Sequence, residues 1–180
     1  DWSSDVCSSD LGVLRAQTLE ELVDAASLLS SKPLPHGPRV AVVTNAGGLG
    51  ILAADACEAA GLALPPLSTE TREALAKLVP AEASLANPID VLGSATPDVF
   101  EAVIPPILTD PGIDALMVLF AQPIVADAED VATAVVRAAR TVPHDKPIVA
   151  SMISADGTPA ALLAADSPVT PFAYPESAAR

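Results

Sequence analysis

The chain has 180 residues, a hydrophobic fraction of 51% and a formal net charge of -14. This acidic balance argues against DNA or RNA as a partner, because nucleic-acid binding needs a basic surface. No apolar run approaches the roughly 18 residues that span a bilayer, and the two cysteines have no metal-ligand spacing, which suits a reducing cytoplasm.

The first residues, DWSSDVCSSDL, show neither helical nor strand periodicity. They resemble the translated read-through of a common sequencing adapter. We therefore expect residues 1–11, with Trp2 and Cys7, to be an artefact outside the fold, and the natural protein to begin upstream.

A short amphipathic helix is predicted within residues 12–38. Thr18 and Glu21 form a capping-box pattern, and apolar residues recur after them at helical spacing as far as Leu29. Residues 30–38 follow as a proline-rich linker.

Residues 39–61 predict a strand, a tight loop and a helix. Residues 40–43 are four apolar residues, three of them β-branched, which is typical of a strand buried on both faces of a parallel sheet. The glycine-rich loop 44–50 lets a ligand approach the backbone, and the next helix points its unpaired N–H groups at that loop. Phosphate or carboxylate is therefore the predicted ligand, and Gly61 is the predicted end of the helix.

Strands and helices alternate along the rest of the chain. Further strands are predicted at residues 62–64, 113–120, 146–153 and 169–174. Further helices are predicted at residues 68–78, from Thr96 with a kink or break at Pro105-Pro106, at 128–140 and at 158–165. Residues 84–92 are predicted as a loop, because Pro88 cannot lie in a central strand.

This alternation predicts a flavodoxin-like, doubly wound α/β fold, with a mainly parallel sheet and helices on both faces. Ligands in such sheets bind at the carboxyl ends of the strands. The rule selects three loops, residues 44–50, 87–93 and 121–127, as the candidate site.

The residues alone leave alternatives open for these loops. Gly48, Gly50 and Ala53 fit the G-x-G-x-x-A form of a dinucleotide fingerprint, but no acid for a ribose follows the second predicted strand. The glycines are also compatible with a tight turn and close helix packing only. Asn87 and Asp90 have a similar structural alternative, since such residues often cap backbone beside proline.

No complete catalytic set is visible in the sequence. His36 and His144 lie away from the predicted carboxyl ends, Asp127 is a predicted helix N-cap, and Cys57 fits a small buried thiol. No Ser-His-Asp set, metal cluster or G-x-x-x-x-G-K motif occurs. No catalytic residue or metal ligand is therefore assigned.

Three phrases in one order resemble a known family: VAVVTNAGGLGILAADACEAAGL, SLANPIDVLGSATPDVFEAVI and DPGIDALMVLFAQP. Over residues 39–174 they resemble the succinyl-CoA-ligase-like flavodoxin domain of the NDP-forming acyl-CoA synthetases, which include ADP-forming acetate-CoA ligase. The resemblance implies a reaction in which acid, CoA and ATP give acyl-CoA, ADP and phosphate through a phosphohistidine. It also implies that this chain contributes the phosphoryl and acyl-phosphate end of the site.

By this resemblance the three loops would line that end of the site. The phosphate- or acyl-phosphate-binding residues would be Thr44, Asn45, Ala46, Gly47, Gly48, Gly50, Asn87, Pro88, Asp90, Phe120, Ala121, Gln122 and Pro123. The family's Ser-His-Thr-Gly-like stretch is not in this chain, so we expect a fragment of an acid-thiol ligase that is inactive alone.

The resemblance implies partners as well. They would be a CoA-binding Rossmann domain and an ATP-grasp domain, in the same or a partner chain, with residues 175–180 starting a linker to a downstream domain. The full-length protein would use CoA, ATP or ADP, and Mg²⁺, in the cytoplasm, without nucleic acid or membrane partners. Two other functions remain open: an acyl-CoA-sensing regulatory domain of a protein lysine acetyltransferase, and an interaction module without a ligand.

Overall fold

The computed structural model describes residues 14–31, 33–143 and 145–180. The adapter-like segment 1–11 lies outside the described residues, as do Lys32 of the predicted linker and His144. Residues Asp1–Ser31 and Lys32–Arg180 form two separate units.

Helix α1 (Leu19–Ser31) belongs to the first unit. Its amino end carries the predicted cap, because the Thr18 Oγ1 accepts the N–H of Glu21 at 3.1 Å. The Glu21 carboxylate accepts the N–H of Gln17 at 2.7 Å, one residue before the position that a standard capping box uses.

A five-stranded sheet organises the second unit, with strand order β2-β1-β3-β4-β5. The strands are β1 (Val40–Thr44), β2 (Ile89–Asp90), β3 (Ala115–Ala121), β4 (Ile148–Ile153) and β5 (Val169–Pro171). All four ladders between neighbouring strands are parallel. The predicted α/β fold with a mainly parallel sheet is confirmed.

Helices pack on both faces of this sheet, as the doubly wound prediction required. They are α2 (Gly47–Ala59), α3 (Thr69–Leu75), α4 (Pro97–Leu108), α5 (Ala128–Ala139), α6 (Ala160–Leu163) and α7 (Pro175–Ala179). Helix α2 contacts α7, whereas α5 contacts both α4 and α6. No helix within the described ranges is long and apolar enough to cross a membrane.

The main hydrophobic core lies between the sheet and helices α4 and α5. At its centre the fully buried rings of Phe100 and Phe120 meet edge to face, with centroids 5.8 Å apart. Helix α2 differs, because it buries only Gly50, Ala53 and Cys57. Residues this small let α2 lie close to the strands, and its amino end directly follows β1.

Several helix ends have the predicted caps. The Ser68 side chain accepts the Thr71 N–H at the start of α3, and the Asp127 carboxylate accepts the Glu129 N–H at the start of α5. After α2, Gly61 has a φ of 77°, a conformation that favours glycine.

The second strand of the sheet is not where the sequence placed it. Residues 62–64 contribute a single parallel bridge, between Ala63 and Arg39, instead of a strand. The strand beside β1 is β2, within the segment predicted as a loop. Proline does not prevent this, because β2 lies at the edge of the sheet and begins after Pro88.

Other predicted boundaries also change, and the last strand ends at Pro171 instead of residue 174. Helix α4 continues through Pro105 and Pro106 to Leu108, so of the predicted kink or break, the break does not occur. The two prolines lie in its last turn, where the Thr109 hydroxyl donates to the carbonyls of both. Helix α3 ends at Leu75 instead of residue 78, and residues 175–179 form helix α7.

Candidate functional site

The three predicted loops meet at one end of the parallel strands. They follow β1, β2 and β3, which are neighbours in the order β2-β1-β3 and run in the same direction. The carboxyl ends of these strands therefore bring residues 44–50, 87–93 and 121–127 together. We call this side the carboxyl edge.

Helix α2 begins at the carboxyl edge with an exposed first turn. Its N-cap residue, Ala46, offers no side-chain cap, and Gly47 and Gly48 are exposed. The Thr44 hydroxyl fixes the turn before them, because it accepts the Ala46 N–H at 3.0 Å and donates to the Ala46 carbonyl at 3.1 Å. The positive end of the α2 dipole is thus exposed at the carboxyl edge.

The three glycines of this loop have different surroundings. A β-carbon at Gly50 would lie 3.2 Å from the Thr44 methyl and 3.3 Å from the Pro88 ring, so close packing favours glycine there. A β-carbon at Gly47 would lie 3.1 Å from Asp90 Oδ2. At Gly48 it would meet no described atom within 4 Å, so packing does not explain that glycine.

Asp90 places a carboxylate beside the first turn of α2. Its Oδ1 accepts the N–H of Leu92 at 2.8 Å, and its Oδ2 lies next to Gly47. A negative charge is favourable at this end of a helix, but it repels a second anion. Leu92 itself has a φ of 72°, which is uncommon for a residue with a side chain.

Asn45 joins the ends of two strands. Its side-chain amide accepts the N–H of Ala121 and donates to the Ala121 carbonyl, both at 2.9 Å. The residue is buried, with 4% of its surface exposed. Its side chain thus positions the loops after β1 and β3 and has no open face for a ligand.

Asn87 faces away from the carboxyl edge, along β1. Its Oδ1 accepts the Val42 N–H at 2.9 Å, while its Nδ2 donates to the carbonyls of Val40 and Pro65 at 2.7 and 3.0 Å. These bonds supply β1 with partners where the two-residue β2 does not extend. The side chain also lines a cavity of about 400 Å³ together with Leu64, Pro66, Arg72, Leu85 and Ala86.

The residues predicted after β3 divide into core and surface. Phe120 lies in the hydrophobic core, so only its backbone reaches the edge. Gln122 is exposed, and its backbone N–H donates to the Ile153 carbonyl at 3.0 Å. Pro123 is half-buried, and the turn after it exposes the apolar side chains of Ile124 and Val125.

Sequence reasoning missed Ser154, which follows β4. Its hydroxyl donates a hydrogen bond to the Oε1 of Gln122 and accepts the N–H of Asp156 at 3.2 Å. The rule that selected the loops after the other strands would have selected this residue too, since residues 146–153 were predicted as a strand.

The opposite, amino edge of the sheet carries a set of paired charges. Asp114 accepts three hydrogen bonds from Arg39: from the backbone N–H at 3.0 Å, from Nε at 2.8 Å and from Nη2 at 2.7 Å. The guanidinium holds the pKa of the Asp114 carboxyl down to about 2, although burial opposes this shift. The carboxylate is therefore ionised throughout the physiological range.

Asp110 forms a second anchor at the amino edge. Its carboxylate accepts the N–H groups of Ser68 at 2.9 Å and Gly112 at 2.7 Å, and the Lys146 ammonium donates to its backbone carbonyl. Burial alone would raise the pKa of Asp110, but hydrogen bonds from Thr71, Ser68 and Gly112 lower it overall.

Metal and thiol chemistry receive no support from the described part of the chain. Within it, no group of three or more His, Cys, Asp or Glu side chains could hold a metal ion. Cys57 is buried on α2, and burial raises the pKa of its thiol, so the reactive thiolate is disfavoured.

Comparison with known proteins gives consistent matches. A family model described as "Ligase-CoA domain" matches residues 40–177. The chain is 36% identical over 141 residues to the acetate-CoA ligase (ADP-forming) II subunit alpha of Pyrococcus furiosus. That alignment covers 77% of this chain and 31% of the relative, so the chain spans about a third of that protein.

Solved structures agree with this result. PH0766 from Pyrococcus horikoshii superposes with a TM-score of 0.89 at 31% identity, covering 97% of this chain and 41% of that one. The dinucleotide-forming acetyl-coenzyme A synthetase 1 of Ca. Korarchaeum cryptofilum, solved in complex with phosphate and ADP, gives a TM-score of 0.86 at 31% identity. The match covers 93% of this chain and 36% of that one.

Proposed function

Because the chain belongs to the Ligase-CoA domain family, we propose that it is one part of an ADP-forming acyl-CoA synthetase. In this role it forms the phosphoryl and acyl-phosphate end of the site of a larger cytoplasmic enzyme. The complete enzyme converts acid, CoA and ATP into acyl-CoA, ADP and phosphate. The CoA-binding, ATP-grasp and phosphohistidine parts are contributed by segments outside this chain.

The observation that carries this proposal is the glycine pair at the start of α2. Glycine in the interior of a helix costs about 0.5–1 kcal/mol relative to alanine, and in the first turn it still carries a backbone-entropy cost. At Gly48 this cost has no packing reason, because a β-carbon there would meet no described atom within 4 Å. A ligand that approaches the backbone closely provides the reason.

The first turn of α2 has the chemistry to hold a phosphoryl group. A phosphate oxygen is an acceptor only, and the exposed N–H groups of Gly47 and Gly48 are donors at the positive end of the helix dipole. With a net charge of -14, the chain must attract an anion through local backbone geometry instead of its overall field. The same donors would stabilise the charge on an acyl phosphate.

The resemblance to the NDP-forming acyl-CoA synthetases implies the transfer sequence. The γ-phosphoryl group of ATP moves to a histidine, ADP leaves, and the substrate carboxylate then takes the phosphoryl group from that histidine. The sulfur of CoA attacks the acyl phosphate, which releases phosphate and gives the thioester. The backbone N–H groups of Gly47 and Gly48 hold the phosphoryl oxygens during the last two transfers.

Two matched glycine variants test the binding role. Gly48→Ala should keep or raise the stability to urea, because the added methyl group contacts no other described part of the chain. It should weaken binding of phosphate and acetyl phosphate at least threefold, because the methyl group lies where the ligand binds. Gly50→Ala is the packing control and should lower stability by about 1–2 kcal/mol. Binding is followed by isothermal titration, with NAD⁺ as the control ligand.

The outcomes separate the open alternatives. Equal phosphate affinity in Gly48→Ala and the unmodified chain would contradict binding at the first turn of α2. Absence of phosphate binding by the unmodified chain would support an interaction module without a ligand. NAD⁺ binding by the unmodified chain that Gly48→Ala abolishes would instead support the dinucleotide interpretation.

The ligase reaction itself needs a longer protein that carries this chain together with the ATP-grasp and histidine parts. Incubation with ATP labelled in the γ-phosphoryl group should give an acid-labile label on that protein, which acetate and CoA then remove. A protein that binds acetyl-CoA but never gains the label would contradict the ligase and support the acetyltransferase-linked sensor.

A further inference from the structure

The carboxyl ends of β1, β3 and β4 are joined by a row of hydrogen bonds from side chains and backbone. Asn45 bonds the backbone of Ala121 twice, and the next residue, Gln122, bonds β4 through its own backbone at Ile153. The Gln122 side chain then meets Ser154. The backbone at Gln122 is therefore held between β1 and β4. What remains to be fixed is the orientation of the Gln122 side-chain amide.

The Ser154 hydroxyl sets that orientation. It has one hydrogen to donate, and its oxygen already accepts the N–H of Asp156. The hydrogen is available for Gln122, which in this structure presents its carbonyl oxygen, Oε1, to Ser154 and so accepts it. The opposite orientation would place the NH₂ donors of Gln122 against the hydroxyl and leave its hydrogen without this acceptor.

This orientation determines what Gln122 offers to a ligand. With Oε1 engaged by Ser154, the nitrogen Nε2 lies at the other end of the amide and carries two N–H donors. The side chain is exposed at the same edge of the sheet as the first turn of α2. Phosphoryl and acyl-phosphate oxygens accept hydrogen bonds and do not donate them, so they require the nitrogen end.

We propose that Ser154 is a positioning residue that holds the Gln122 amide as an N–H donor for the phosphoryl or acyl-phosphate group. This inference rests on the proposed function, since it concerns the same anion. It adds a side-chain donor to the backbone donors of α2 and includes a loop that sequence reasoning did not select. Ser154 itself touches no ligand and acts only through Gln122.

The test uses three variants of the complete chain: Ser154→Ala, Ser154→Thr and Gln122→Ala. Each is labelled with ¹⁵N and titrated with inorganic phosphate and, separately, with acetyl phosphate. The backbone amides of Gly47 and Gly48 report the proposed site, and the Gln122 side-chain NH₂ reports the new donor. Both loops lie at the surface, and unchanged amide spectra of the sheet residues show that each variant keeps its fold.

In the unmodified chain, phosphate should shift the Gly47, Gly48 and Gln122 side-chain signals together. Ser154→Ala should weaken phosphate binding about threefold to tenfold, the effect of losing one well-placed hydrogen bond. Ser154→Thr keeps the hydroxyl and should restore the affinity, whereas Gln122→Ala should weaken it as much as Ser154→Ala.

The two proposals can fail separately. Shifts of Gly47 and Gly48 with unchanged affinity in Ser154→Ala, and no movement of the Gln122 side chain, would overturn the positioning role and leave the α2 site intact. Failure of Ser154→Thr to restore affinity would also overturn it. Absence of all shifts in the unmodified chain would overturn the proposed binding site and this inference with it.

Discussion

The two edges of the sheet are built in opposite ways. At the amino edge, polar groups satisfy one another: Asp114 takes three hydrogen bonds from Arg39, and Asp110 takes two backbone N–H groups. At the carboxyl edge, α2 has an uncapped first turn, Leu92 has a positive φ, and an apolar turn is exposed. One edge stabilises the fold, and the other leaves groups available for binding.

The same contrast runs through the residues predicted for the site. Asn45, Asn87 and Phe120 share the features of the amino edge, because their polar atoms are paired or their rings are buried. Gly47, Gly48 and Gln122 are exposed at the carboxyl edge. We therefore expect the first three to affect stability and the second three to affect ligand affinity.

The strongest way to break this division is to remove Asp114. Asp114→Ala leaves the Arg39 backbone N–H and guanidinium without their acceptor and should lower the free energy of unfolding by about 2–3 kcal/mol. Asp166→Ala is the control, because its pair with Arg140 is exposed and should cost under about 0.5 kcal/mol. Urea unfolding measures both, and equal costs would show that the amino edge is not a special anchor.

Asn87 tests whether a residue near the carboxyl edge can affect stability and leave ligand affinity unchanged. Asn87→Ala removes three hydrogen bonds to the backbone of Val40, Val42 and Pro65, so stability should fall by about 2 kcal/mol. Phosphate affinity of the folded protein should stay within about twofold. A variant that keeps its stability and loses affinity would return Asn87 to the binding site that the sequence predicted.

Acid should weaken the amino edge selectively. The Asp114 carboxyl has a pKa of about 2 when folded and 3.8 as the ordinary value, so its contribution is complete above pH 4 and is lost as pH falls toward 2. The stability gap between the unmodified chain and Asp114→Ala should therefore narrow between pH 5.5 and 3. The change is on the order of 0.5–1 kcal/mol, since solvent around Arg39 screens the pair. A constant gap in urea melts would contradict this origin.

The sequence predicted those elements of the carboxyl edge that are marked by a local pattern of residue types. The strand β1, the glycine turn and helix α2 follow one another within 20 residues, and each has its own pattern of residue types. The strand β2 has two residues and owes its identity to pairing with β1, so no local pattern marked it.

Contacts between distant residues were beyond prediction for the same reason. The Asn87 side chain meets Val42, 45 positions away, and Arg39 meets Asp114, 75 positions away. No spacing along the chain shows such a pair, because the sheet brings the residues together. The residues at the carboxyl ends were predicted as a group, but their separation into binding and structural roles needed the hydrogen bonds.

The finest test concerns Asp90, the one carboxylate of the predicted site beside α2. Asp90→Asn keeps the oxygen that accepts the Leu92 N–H but removes the negative charge next to Gly47, so phosphate should bind about twofold to fivefold more tightly. The control is Asp98→Asn, which removes the same charge from the first turn of α4. Both should lose a few tenths of a kcal/mol of helix-dipole stabilisation, but only Asp90→Asn should change phosphate affinity in the titration. Weaker phosphate binding by Asp90→Asn would instead mean that the Asp90 carboxylate helps to hold the ligand. Binding at the carboxyl edge would then depend on that carboxylate.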